Sequence, residues 1–147
     1  SIKELGSLFS SPWKKTIAHI DGELLTLDQI EHDILRKRFK DPRVHFAVNC
    51  ASKSCPPLQG EPFTGGLLNH QLDQAARAFI NAPRFNRLEG ETLWVSKLFD
   101  WFSEDFNGDV IGYFIEFADG PLMDQLVKNK GRIKVKYLDY DWSLNGT

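Results

Sequence analysis

Between residues 16 and 26 the chain reads TIAHIDGELLT, two short apolar stretches on either side of Asp21-Gly22. An Asp-Gly pair in that setting predicts a type I′ hairpin, since both central residues of that turn take positive φ. The apolar period then lengthens in TLDQIEHDILRKRF, residues 26–39. Thr26 and Gln29 have capping-box spacing and Leu25 and Ile30 that of a hydrophobic staple, which predicts a helix over 27–38. After Pro42, RVHFAVNC (43–50) is a short, nearly continuous apolar run and predicts a buried strand. The Pro- and Gly-rich stretch over 50–66 predicts a loop.

Further along, Leu68, Leu72, Ala75, Ala76 and Phe79 recur at helical spacing, and Pro83 closes that helix, predicted over 67–82. TLWVS (92–96) predicts a strand that pairs with 84–88 across Glu89-Gly90-Glu91, and Ser96 is placed to cap a short helix, KLFDWFSEDF. Helices are predicted over 109–118 and 121–130, the second with Pro121 in its first turn and Gly131 just past its end. In 132–142, Ile133, Val135 and Tyr137 alternate with Lys134 and Lys136, a strand with one wet face. The order β-β-α-β-α-β-α-α-α-β is no regular βαβ series. It predicts an α+β domain with a mainly antiparallel sheet and helices packed on it.

Composition narrows the function classes. At 147 residues, with 41% hydrophobic and 26% charged residues, the chain suits one globular domain with its own core. A net charge of −2 without a basic run argues against a nucleic-acid partner. No apolar run nears the roughly 20 residues that span a bilayer. The opening SIKELGSLFSSPW has neither an initiator Met nor a signal peptide, so it reads as a processed product or a fragment, and the compartment stays open.

Two features carry candidate chemistry. On a helical wheel Glu31 falls between Leu27 and Leu35, inside the apolar stripe, with His32 at its edge. A carboxylate there either snorkels out, pairs with Arg38 or Arg43, or is held in a pocket where it orients a histidine. The second feature is HFAVNCASKSCPP (45–57), with the only cysteines, Cys50 and Cys55. Four readings stand for them. A turn can bring the pair into a disulfide, which would stabilise by roughly 2 kcal/mol. Zinc finds one cysteine pair at the long end of the usual spacing, with His45 nearby, and would have to borrow His32 or His70. Each sulfur can also be a buried, inert thiol. Finally, one can be a nucleophile with a histidine base. His45 and Cys50 sit roughly 16 Å apart on a regular strand and face opposite ways. The open pairings are therefore Cys55 with His45 and Cys50 with His32. Asp139 and Asp141, two apart on the last strand, are a lesser candidate for a cation, against solvated charges or a cap near the chain end.

LDQIEHDILR (27–36), DPRVHFAVNCASKSCPPL (41–58), VSKLFDWFSEDF (95–106) and LDYDWSLN (138–145) together resemble the bacterial "domain of unknown function 547" family. The resemblance implies an α+β domain in proteins that often carry export signals, hence a periplasmic or secreted location. The family pattern starts earlier, with an apolar helix and an Asn-x-Tyr-Asn-Ala-like stretch that this sequence lacks, so it implies a single domain without its first helix. It also implies that Glu31, His32, His45, Cys50 and Cys55 are motif positions, a set that a papain-like or transglutaminase-like thiol site would use.

The leading expectation is a cysteine-dependent hydrolase or acyl-transferase acting on amide or peptide bonds. Cys55 attacks, His45 takes the proton, Glu31 orients the histidine, and backbone N–H groups of Ala51–Ser54 hold the oxyanion; Cys50 with His32 is the other pairing. The alternative is a non-catalytic binding or interaction module on an enzyme-like scaffold, with bridged or buried cysteines. Either takes a peptide or small-molecule ligand, with no cofactor and no metal.

Overall fold

The computed structural model describes residues 11–146. The chain forms a mixed α+β fold with two small open sheets and several helices. It divides into two compact units, Ser1–Pro42 and Arg43–Thr147.

In the first unit, β1 (Thr16–Ile20) and β2 (Glu23–Thr26) form an antiparallel hairpin. Asp21 and Gly22 turn it with φ of 51° and 83°, as the type I′ reading requires. Leu25 is buried, whereas Leu24 on the opposite face is 68% exposed. The predicted capping box forms: Thr26 N–H donates to Gln29 Oε1 at 2.9 Å and Gln29 N–H to Thr26 Oγ1 at 3.1 Å. The helix that follows, Gln29–Phe39, is wound as a π-helix. Its neighbours along the axis are five residues apart, so the 3.6-residue wheel that set Glu31 in an apolar stripe does not describe it.

The second unit contains α1 (Leu68–Ile80), β3 (Arg87–Glu89), β4 (Thr92–Val95), α2 (Leu98–Trp101), α3 (Val110–Phe117), α4 (Gly120–Asn129) and β5 (Lys134–Tyr137). β4 is central, antiparallel to β3 and parallel to β5. Parallel pairing follows from the connection, since three helices carry the chain from β4 back to β5. Leu93 and Val95 turn into a core shared with Phe79, Phe99, Phe114 and Leu126. Each fully buried side chain of that size contributes about 1.5–3 kcal/mol. Ser96 caps α2 as expected, accepting from Leu98 N–H at 3.3 Å, and Asp109 caps α3 through Gly112 N–H at 2.8 Å.

One predicted strand is absent. Residues 43–50 do not join a sheet; Pro42–Phe46 is a 3-10 turn, after which the chain runs irregularly to Cys50. Proline's fixed φ suits the first turn of a helix. Ala47 and Val48 N–H both return to Val44 O, and Val44, His45 and Phe46 are all buried. A short apolar run enclosed on every side has no diagnostic period, so strand and turn look alike in sequence. Among the described residues, no helix is long and apolar enough to cross a membrane.

Candidate functional site

The loop after Phe46 is tied at both ends by one side chain. Asn49 Oδ1 accepts from Ala51 N–H at 2.7 Å, and its Nδ2 donates to Pro56 O at 2.7 Å. Ala51 takes φ of 61°, the left-handed region that this Asx turn brings about. Cys55 N–H then donates to Ser52 O at 3.1 Å. The turn sets the Cα atoms of Cys50 and Cys55 6.2 Å apart, and the two sulfurs are bonded as a disulfide. Cys55 is buried and Cys50 half-buried. The hydroxyls of Ser52 and Tyr140 lie 3.2 and 3.4 Å from Cys50 Sγ, and Tyr140 Oη–H also reaches Cys55 Sγ at 3.4 Å.

The disulfide overturns the thiol-enzyme expectation. Neither Cys55 nor Cys50 is a free cysteine, so neither carries the thiolate that would attack a carbonyl. The odd-spacing argument that separated Cys50 from His45 also loses its premise, since no regular strand joins them.

His45 is 2% exposed. Its Nε2 meets Asp105 Oδ2 at 2.7 Å, and its ring stacks on Phe102 at 4.2 Å with Phe106 beyond at 5.6 Å. This part-buried pair crosses 60 residues of sequence and ties the Pro42–Phe46 turn to the 3-10 turn Ser103–Phe106. Asp105 is a residue the sequence reading missed, because nothing local marks it as a partner for His45.

Glu31 and His32 lie in the other unit. Arg36 Nη1 donates to His32 Nδ1 at 3.2 Å, so that nitrogen acts as the acceptor. Glu31 is half-buried. Burial raises its pKa above the usual 4.5, while the charges of His32 and Arg36 pull against that shift. Asp139 and Asp141 fall beyond the end of β5. The Asp141 carboxylate caps a turn, accepting from Ser143 Oγ–H at 2.6 Å and Ser143 N–H at 2.9 Å, and those bonds lower its pKa. Among the described residues, no group of three or more His, Cys, Asp or Glu is arranged to hold a metal.

What the bridged loop does hold is the chain that leaves β5. Lys53 N–H donates to Ser143 O, Ser54 N–H to Asp141 O and Asn145 N–H to Ala51 O. Ser54 Oγ accepts from Asp141 N–H at 2.9 Å. This strapped segment carries Tyr140 and Trp142, which gather with Trp101 at centroid distances of 4.6–5.6 Å. Trp101 and Trp142 are 43% and 47% exposed. The bridge, the two loops and the three rings form one connected surface feature.

A family model described as "Protein of unknown function, DUF547" matches residues 3–80, a span that holds Glu31, His32, His45 and both cysteines. No curated protein and no solved structure matches the chain.

Proposed function

We propose that this chain, which belongs to the DUF547 family, is a non-catalytic binding or interaction module, its motif cysteines and His45 serving architecture. The observation that carries this reading is the Cys50–Cys55 disulfide. With both sulfurs bonded to each other, the motif has no cysteine thiolate to form a thioester intermediate. His45 is committed to Asp105 and packed between aromatic rings, the placement of a histidine that joins two turns. Exposed Trp101 and Trp142 on the strapped surface are the large amphipathic side chains that recur in contact areas.

The test is a thiol titration of the protein purified without reductant, in native buffer and in denaturant, over pH 6–9. The expected result is no reactive thiol in either state, and two only after reduction. A thiol that reacts in the native protein well below the ordinary pKa of about 8.5 would overturn the reading.

A further inference from the structure

The sheet of the second unit ends in β5, which among the described residues has a strand neighbour on one side only. On that side Lys134 N–H donates to Glu91 O and Leu138 N–H to Val95 O, each at 2.8 Å, with Lys136 in register with Trp94 between them. In a parallel ladder alternate residues direct their N–H and C=O to opposite sides. Val135 and Tyr137 therefore present theirs to the outer edge, where no described strand pairs with them. Lys134 and Lys136 flank that edge, both exposed and on the same face. Lys136 Nζ lies 5.1 Å from the centre of the Trp94 ring. An edge of this kind is a template for one more strand, whose main chain would supply affinity and whose side chains would supply specificity.

The charges choose the occupant. A second copy of β5 would set lysine against lysine, which destabilises a cross-strand pair, and edge lysines are a common device against self-pairing. A strand with carboxylates at the same alternation answers both cations. From this, and resting on the interaction-module reading above, we infer that the free edge of β5 receives an extended segment of a partner protein, with Asp or Glu at alternate positions.

The probe is a fluorescein-labelled EVEVEV peptide, capped at both ends and titrated by anisotropy at low salt, with amide exchange followed by NMR. The expected result is saturable binding that slows exchange at Val135 and Tyr137. Lys134→Gln and Lys136→Gln should each weaken binding by up to about fivefold, the range of a single cross-strand charge pair. The double charge reversal Lys134→Glu with Lys136→Glu should lose EVEVEV and accept KVKVKV. Both lysines are exposed, so circular dichroism of the variants should match the parent; if the double reversal unfolds, the two Gln variants carry the test. Any of four outcomes overturns the inference: no binding, binding without slowed exchange at those amides, equal binding of an oligothymidine of matched charge, or self-association of the protein in place of peptide capture. A failed titration with no free thiol removes the edge and leaves the module reading intact. A reactive native thiol removes that reading whatever the peptide does.

Discussion

Replacing Cys50 and Cys55 by Ala, singly and together, gives a quantitative test of what the bridge contributes. The ring it closes is short, with a sequence separation of 5. The chain-entropy relation gives a ring of this size about 2 kcal/mol at 25 °C. Cys50→Ala should therefore destabilise by about 2 kcal/mol. Cys55→Ala should cost about 1 kcal/mol more, because Cys55 Sγ also accepts from Cys50 N–H at 2.9 Å. The double variant should resemble Cys55→Ala alone, since either change already breaks the bond, and so fall short of additivity by about 2 kcal/mol. The assay is urea unfolding followed by circular dichroism without reductant. Added reductant should bring the parent close to Cys50→Ala and leave that variant unchanged. Additive losses, or a parent indifferent to reductant, would refute the reasoning.

Three further outcomes follow from other parts of the molecule. Asp105→Ala leaves the buried His45 Nε2 without the partner it meets at 2.7 Å and should cost about 1–3 kcal/mol in the same urea assay; an unchanged midpoint would remove His45 from the architecture. Asn86→Ala deletes two buried bonds, Nδ2 to Phe79 O at 2.8 Å and Ser96 N–H to Oδ1 at 3.1 Å, and should cost about 2–4 kcal/mol; a loss under 0.5 kcal/mol, on the order of an exposed surface change, would contradict it. For Glu31, burial raises the folded-state pKa, so the native state holds its proton to higher pH than the unfolded chain. Stability then falls as pH rises from 4.5 through the folded pKa. Glu31→Gln should accordingly stabilise relative to the parent at pH 7 and lose that advantage towards pH 4; urea midpoints at the two pH values that differ in the opposite sense would reverse the argument.

What could be read from the sequence was local. The Asp21-Gly22 turn, the Thr26/Gln29 box, the Ser96 cap and helix α1 each depend on residues within one or two turns of each other, and each is found. Pairings across long stretches were not legible. His45 meets Asp105 over 60 residues, and Lys134 binds Glu91 across three helices. The Pro42–Phe46 turn passed for a strand because burial on every side erases the period that tells the two apart. For Glu31 the wheel assumed 3.6 residues per turn, whereas this helix is π-wound; the residue is nonetheless half-buried, and that burial raises its pKa. The cysteine pair was the instructive case. Its spacing allowed a bridge, a metal site and a nucleophile alike, and only the Asn49-bound turn decides among them.

The small size of the bridge's contribution bears on its purpose. A unit with a core of buried Phe, Leu and Val side chains does not depend on about 2 kcal/mol from one short ring. What the ring fixes is conformation: it holds the 51–54 loop in the shape that receives the backbone of Asp141 and Ser143. That backbone is the continuation of β5 through Leu138 and Tyr140. The cysteines therefore hold the exit of the strand whose outer edge no described strand pairs with, and a strand fixed at its exit loses less freedom when another strand joins it. Reduction of the disulfide should loosen residues 138–145 first and raise amide exchange at Lys53, Ser54 and Asn145. It should weaken capture of the acidic peptide while Leu93 and Val95 stay protected in the core. Uniform loss of protection across both sets would show instead that the bridge supports the whole unit and has no particular link to that edge.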